Sequence, residues 1–187
     1  MEYIQASPQA AADGVHREWS SNEKTAMEAA LGMSYAGKRA MVAMKHVGLN
    51  VAADAFINSA VTGVNGGLVV GSADDPSMHS SQNEQDNRNY AKAAKLPMLE
   101  PSDSQECKDM VGIAYEISEK YNTPVLIRMT TRVCHSKSVV EVMDRKDVPI
   151  KEYVKDGLAH VCVPANAKNW RRNVEERMNK LEAYSEA

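Results

Sequence analysis

Residues 66–73 read G-G-L-V-V-G-S-A, an almost wholly apolar run of strand length with no apolar–polar alternation. An alternating strand keeps one face in water, whereas an uninterrupted apolar strand is covered on both faces, as in a parallel sheet packed between helices. Residues 39–44 (R-A-M-V-A-M) and 123–129 (T-P-V-L-I-R-M) repeat the signature, with Pro124 acceptable only at the strand's beginning because it lacks an N–H. Pro97 and Pro101 frame a brief further strand. V-H-R-E-W at 15–19 and L-A-H-V-C-V at 158–163 are strand candidates near the two ends.

Between these runs the spacing turns helical. Ser20 and Glu23 form an S-x-x-E start signal for a helix through Ala26, Ala29, Ala30 and Met33, closed by Gly37 as its C′ residue. After a polar break at 45–50, a helix holds Val51, Ala52, Ala55, Phe56 and Ser59. Another is expected at 84–94, and Asp103 caps one in which Cys107, Met110, Ala114, Ile117 and Tyr121 fall at helical intervals. The order β-α-β-α predicts an α/β fold with a doubly wound, mostly parallel sheet and helices on both faces. From 137 the chain is more charged and less regular. The expected organisation is a domain at 1–136 followed by an extension at 137–187 that ends in a polar helix at 166–184.

The 187 residues are enough to bury a core without metals or disulfides, and 43% hydrophobic and 25% charged residues with a net charge of -3 are ordinary for a globular protein. That balance points to neither nucleic acid nor a membrane surface as a partner. With no apolar run of membrane-spanning length and no leader pattern, a soluble cytoplasmic protein is expected. The three cysteines, Cys107, Cys134 and Cys162, lie far apart and read as reduced core thiols. No metal site is expected in this chain, and an iron–sulfur cluster needs about four thiolates.

Strand carboxyl ends share one edge of an open parallel sheet, where ligands bind. Polar runs follow the proposed strands: S-S-N-E-K at 20–24, K-H-V-G-L-N at 45–50, D-D-P-S-M-H-S-S-Q-N-E-Q-D at 74–86 and T-T-R-V-C-H at 130–135. Glu23 reads two ways, as a capping glutamate or as a carboxyl available for proton transfer. Lys45 and His46 are ligand contacts or a solvated loop. The run from His79 to Arg88 either caps a helix or offers donors and acceptors to a 2-oxo acid carboxylate.

Taken together, these runs, with P-M-L-E-P-S-D-S-Q-E at 97–106 and P-V-L-I-R-M at 124–129, resemble the α subunit of indolepyruvate:ferredoxin oxidoreductases across about residues 14–140. The resemblance implies the pyrimidine-binding domain of a thiamine-diphosphate-dependent enzyme, with Glu23 as the catalytic carboxyl that bonds the cofactor's pyrimidine nitrogen. It implies cofactor contacts at Lys45, His46, Gly48, Leu49 and Asn50, and substrate contacts at His79, Ser81 and Gln82. The implied reaction is oxidative decarboxylation of an aryl pyruvate to an acyl-CoA, with electrons passed to ferredoxin. A diphosphate-binding domain and a β subunit are implied partners, magnesium and iron–sulfur clusters belong to the complete enzyme alone, and a homodimer is expected.

The family pattern also includes an earlier βα unit ending in a Y-P-G-T-P-S-S-E-like turn, and Met1-Glu2-Tyr3-Ile4 falls just after it. With the first βα unit partly missing, a neighbouring strand should have an exposed edge, and the isolated chain should be inactive. No G-D-G motif for the diphosphate half is present. The alternative is a noncatalytic remnant or assembly module of the same fold. A flavodoxin-type carrier is excluded by the lack of a Ser/Thr/Gly phosphate loop after the first strand.

Overall fold

The structure is a computed structural model that describes residues 2–153 and 155–186. Helices α1 (Glu2–Ala6) and α2 (Pro8–Ala12) come first, with Ser7 accepting from the Ala10 N–H and Pro8 in the first helical turn. Residues 15–22 then run without regular structure to α3 (Glu23–Tyr35). The strand expected at 15–19 does not form: among the described residues no strand pairs with it to take its N–H and C=O groups. Asn22, not Ser20, caps α3, accepting from the Thr25 N–H at 2.9 Å. Glu23 is the first helical residue and is free of the capping-box role. Gly37 follows the helix at φ 86, a conformation that costs a glycine little.

Strand β1 (Ala40–Lys45) passes directly into α4 (His46–Val51), then α5 (Ala53–Thr62) and β2 (Leu68–Asp74). The loop expected at 45–50 is thus a helix, with Lys45 at its N-cap position. After a long turn come α6 (Arg88–Ala94), β3 (Met98–Leu99), α7 (Ser104–Tyr121) capped by Asp103, β4 (Val125–Thr130) and α8 (Thr131–His135). The predicted strand at 158–163 is replaced by α9 (Gly157–His160), because the Asp156 carboxylate accepts from the Leu158 and Ala159 N–H groups and starts a helical turn. The last element is α10 (Pro164–Ser185).

The strands lie in the order β1-β2-β4-β3, and every pairing is parallel. The register sets Val42 beside Val70 and Val70 beside Leu126. Side chains alternate between faces, so Val42, Leu68, Val70 and Leu126 meet Met27, Leu49, Phe56 and Ala91 from α3 to α6 on one side. On the other, Val69, Val125 and Ile127 meet Ala114 and Ile117 of α7 and Leu181 of α10. Both faces of the central strands are covered, as the doubly wound expectation required.

Helix α10 buries Trp170, Val174, Arg177 and Leu181, one stripe at helical spacing. Among the described residues no helix is long and apolar enough to cross a membrane. The cysteines are free, but Cys107 is half-buried and Cys134 and Cys162 are exposed. The core-thiol reading is corrected: Cys107 sits on α7, Cys134 on α8 and Cys162 on the segment after α9, all outside both apolar clusters.

Candidate functional site

All strands being parallel, the carboxyl ends of β1, β2 and β4 converge on one edge. Each releases a polar group there: Lys45 from β1, Asp74 and Asp75 from β2, and Thr130 and Thr131 from β4. Glu23 reaches the same edge from the first turn of α3. It is half-buried and lines a groove of about 780 Å³ together with Asn22, Lys45, Met41 and Met44. The stem of Glu23 packs on Gly48, where an added Cβ would lie 2.5 Å from Glu23 Cγ.

The residues at 45–50 divide by burial. Lys45 and Asn50 are exposed, whereas His46, Gly48 and Leu49 are buried. Leu49 lies wholly inside the core among Ala52, Phe56 and Met27, so its expected contact with a ligand is corrected: it anchors α4. His46 is sealed from solvent, with Nε2 3.0 Å from Asn83 O and Nδ1 3.4 Å from Ala73 O. It ties the start of α4 to the turn between β2 and α6. Asn50 Nδ2 donates to Tyr90 OH, and Tyr90 OH donates to Gln85 Oε1 at 3.3 Å.

Of the residues expected to face a substrate, His79 and Gln82 are exposed and Ser81 is half-buried. Their turn is held from below by Asp75, whose carboxylate accepts from Thr131 Oγ1 (2.7 Å), Ser80 N (2.7 Å) and His79 N (3.2 Å). These bonds favour the ionised form, the Thr131 hydroxyl most, and hold the Asp75 carboxyl well below the usual carboxylate range. Ser77 and Met78 take φ of 67 and 55, uncommon for non-glycine residues and maintained by this clamp. Lys45 Nζ donates to Ser80 O at 2.8 Å, which joins the 45–50 and 79–88 segments on one edge.

A second, buried network was not singled out from the sequence. Arg128 lies in the apolar part of β4 opposite Ser72 and is 4% exposed. Its Nε donates to Asp74 Oδ2 at 2.6 Å, its Nη1 to Glu100 Oε1, and the Asn87 N–H reaches the same Asp74 oxygen at 3.0 Å. A charge inside T-P-V-L-I-R-M was the available signal, because a buried arginine requires partners. The network fixes where α6 begins and therefore where the 75–87 turn ends. Asp86, beside it, is lowered by its bonds from Arg88.

Residues 3–179 match the family model described as "Pyruvate flavodoxin/ferredoxin oxidoreductase, thiamine diP-bdg". The "Indolepyruvate oxidoreductase subunit IorA" of Methanothermobacter marburgensis is 50% identical over 174 residues, which are 92% of this chain and 28% of that protein. The protein of the same name from Pyrococcus abyssi is 59% identical over 159 residues, 81% of this chain and 24% of that one. The chain thus spans about a quarter of these relatives' length. Among solved structures, the 2-oxoglutarate:ferredoxin oxidoreductase from Magnetococcus marinus superposes with a TM-score of 0.73 at 17% identity, over 98% of this chain and 39% of that one. That likeness is one of fold.

Proposed function

The chain belongs to the thiamine-diphosphate-binding family of pyruvate flavodoxin/ferredoxin oxidoreductases, and from that premise we propose that it forms the pyrimidine-binding wall of an aryl 2-oxoacid oxidoreductase site. The observation that carries this reading is Glu23, a half-buried carboxyl seated on Gly48 in a groove whose α3 and β1 side is lined by Ala26, Ala30, Met33, Met41 and Met44. One carboxyl beside an apolar slot fits a flat aminopyrimidine ring, which needs apolar contact on its faces and one partner for a ring nitrogen. Thiamine diphosphate, when bound, supplies the carbon nucleophile for decarboxylating a 2-oxo acid.

The chain's own residues then have distinct tasks. Glu23 holds the proton shared with the ring nitrogen, and its fixed position removes the need to reorganise during reaction. Lys45, Gly48 and Asn50 line the approach to the ring, with His46 and Leu49 setting their backbone. His79, Ser81 and Gln82 receive the carboxylate and carbonyl of an aryl pyruvate. The diphosphate-binding half with its magnesium, a β subunit, iron–sulfur clusters, ferredoxin and coenzyme A are supplied outside residues 1–187. In this reading residues 1–136 make the site and 137–187 brace it, in a cytoplasmic enzyme built as a homodimer.

The test is reconstitution. The chain mixed with the diphosphate-binding half should reduce a redox dye in the presence of an aryl pyruvate and thiamine diphosphate, while the chain alone should not. Glu23→Gln should remove that activity. Reduction that survives Glu23→Gln overturns the assignment of Glu23, and a folded mixture that binds cofactor without turnover supports the noncatalytic-module alternative instead.

A further inference from the structure

Two consecutive non-glycine residues, Ser77 and Met78, take left-handed backbone. Such backbone is strained for residues with side chains and persists where the surrounding bonds over-determine it. Here those bonds are few and specific. Met78 N donates to Asp75 O at 3.0 Å and Ser77 N to Glu84 Oε2 at 3.0 Å. The Asp75 carboxylate takes His79 N and Thr131 Oγ1 on Oδ1 and Ser80 N on Oδ2. Packing holds the turn less than these bonds do, because His79 and Gln82 are exposed and a cavity of about 200 Å³ lies between Ser80 and the strand-end residues Lys45, Ala73 and Thr131.

Thr131 reaches this clamp from another part of the fold. It follows β4 directly and opens α8, and its Oγ1 also lies 3.2 Å from Asp74 O. Arg128, three residues earlier, is bonded to Asp74 at 2.6 Å. The end of β4 is therefore fixed against the end of β2, and the Thr131 hydroxyl passes that fixed position to the turn. It also does most to keep the Asp75 carboxyl ionised, the form that accepts all three bonds. Farther along, Asn83 O meets His46 Nε2 at 3.0 Å. Ser81 and Gln82 stand between the two pins.

We propose that Thr131 and Asp75 are a positioning pair, which holds the 77–82 turn in its strained form ready for the 2-oxo acid without touching the substrate. The inference rests on the function proposed above and deepens it, since affinity for the substrate is then set behind the groups that meet it. A turn ordered during folding spares the ligand that cost, whereas a loose one must be ordered at binding. Ordering a single backbone residue costs about tenfold in affinity.

Two substitutions separate the hydroxyl from the shape of the side chain: Thr131→Val removes the hydroxyl and keeps the shape, and Thr131→Ser keeps the hydroxyl. In the assembly purified with its natural partners, Thr131→Val should raise the KM for an aryl pyruvate about tenfold, while kcat and the half-saturating concentration of thiamine diphosphate stay within about twofold of the parent. Thr131→Ser should keep all three. In the full chain alone, the His79 and Ser80 amides should exchange at least about tenfold faster in Thr131→Val than in the parent, with the β2 amides unchanged. The proposal falls if Thr131→Val leaves the KM and those amides as in the parent, or if Thr131→Ser behaves like Thr131→Val. It falls equally if KM, kcat and cofactor half-saturation all worsen together, which marks a merely structural role. Should Thr131→Val not fold, Asp75→Asn decides by the same comparison, because its amide nitrogen cannot accept the Ser80 or His79 N–H. A parent-like KM in an active assembly sinks the positioning pair and spares the function. An assembly that turns over no 2-oxo acid overturns the function and the positioning role with it, even where faster exchange at residues 79 and 80 shows the clamp itself.

Discussion

A Cβ built on Gly48 would lie 2.5 Å from Glu23 Cγ and 3.0 Å from Met44 Cβ, so the missing side chain is the space that the glutamate stem fills. Gly48→Ala must push Glu23 aside. The expected cost is about 1–3 kcal/mol in urea unfolding, offset in part by the ~0.5–1 kcal/mol that alanine gains over glycine inside a helix. In a Glu23→Ala background the same change should cost less, and an unchanged cost would show that the two side chains do not compete. In the reconstituted enzyme the displacement should lower turnover by about 10²-fold. Asp75 gives the second residue-scale expectation. Its folded pKa lies below the ordinary 3.8, because Thr131, Ser80 and His79 all donate to it. The unfolded chain therefore binds the proton first, so the contribution to stability is complete above the ordinary value and is lost as pH falls through the depressed one. The urea midpoints of parent and Asp75→Asn should differ by a constant amount near neutrality and converge in acid. A gap that persists undiminished to low pH would remove the carboxylate from the account. The place of Glu23 at the start of α3 was legible in the sequence, whereas its packing on Gly48 was not, because that depends on how closely α3 approaches α4.

At the scale of elements, what the sequence reveals depends on where each element's partners lie. β1, β2, β4 and α7 carry their reasons locally, in apolar runs and in the Asp103 cap, and they form close to the predicted places. Residues 15–19 have the composition of a strand but no strand beside them, and 45–50 looked like a loop because Lys45, His46 and Asn50 are polar. The helix there forms because Leu49 and Gly48 face the core and His46 Nε2 lies 3.0 Å from the Asn83 carbonyl. The last helix was legible as polar and helical, yet the residue that docks it was not. Arg177 is 8% exposed and donates from Nη1 to Asn122 O at 3.0 Å and from Nη2 to Ala60 O. Those carbonyls belong to the C-cap of α7 and the last turn of α5, where helix dipoles favour a positive charge. Burial pushes the guanidinium down to about 10, which still leaves it charged at neutral pH. Arg177→Ala should therefore lower stability by about 2–4 kcal/mol, through two orphaned carbonyls and the lost packing of the stem. Denaturant unfolding measures this, and a loss under ~0.5 kcal/mol would mean that Trp170, Val174 and Leu181 hold α10 without it.

For the molecule as a whole, the two faces of the sheet are finished unequally. β2 and β4 are covered on both faces, while β1 ends at an open edge with exposed Met41 and Ala43 beside it. Exposed parallel edges invite pairing, and this one lies along the groove that holds Glu23. The wall at 16–22 that makes the edge a groove is visible only in three dimensions. The two tryptophans allow a direct reading of that groove. Trp19 lines the groove and is 63% exposed, whereas Trp170 is 8% exposed with its Nε1 on Leu158 O at 2.9 Å. In a Trp170→Phe chain the remaining indole reports on the groove alone. Its emission should lie at long wavelength in the free protein and move to shorter wavelength, with reduced quenching by iodide, once the diphosphate-binding half is added. Emission and quenching that stay unchanged in an active mixture would remove the groove from the proposed site, since Trp19 stands in its wall.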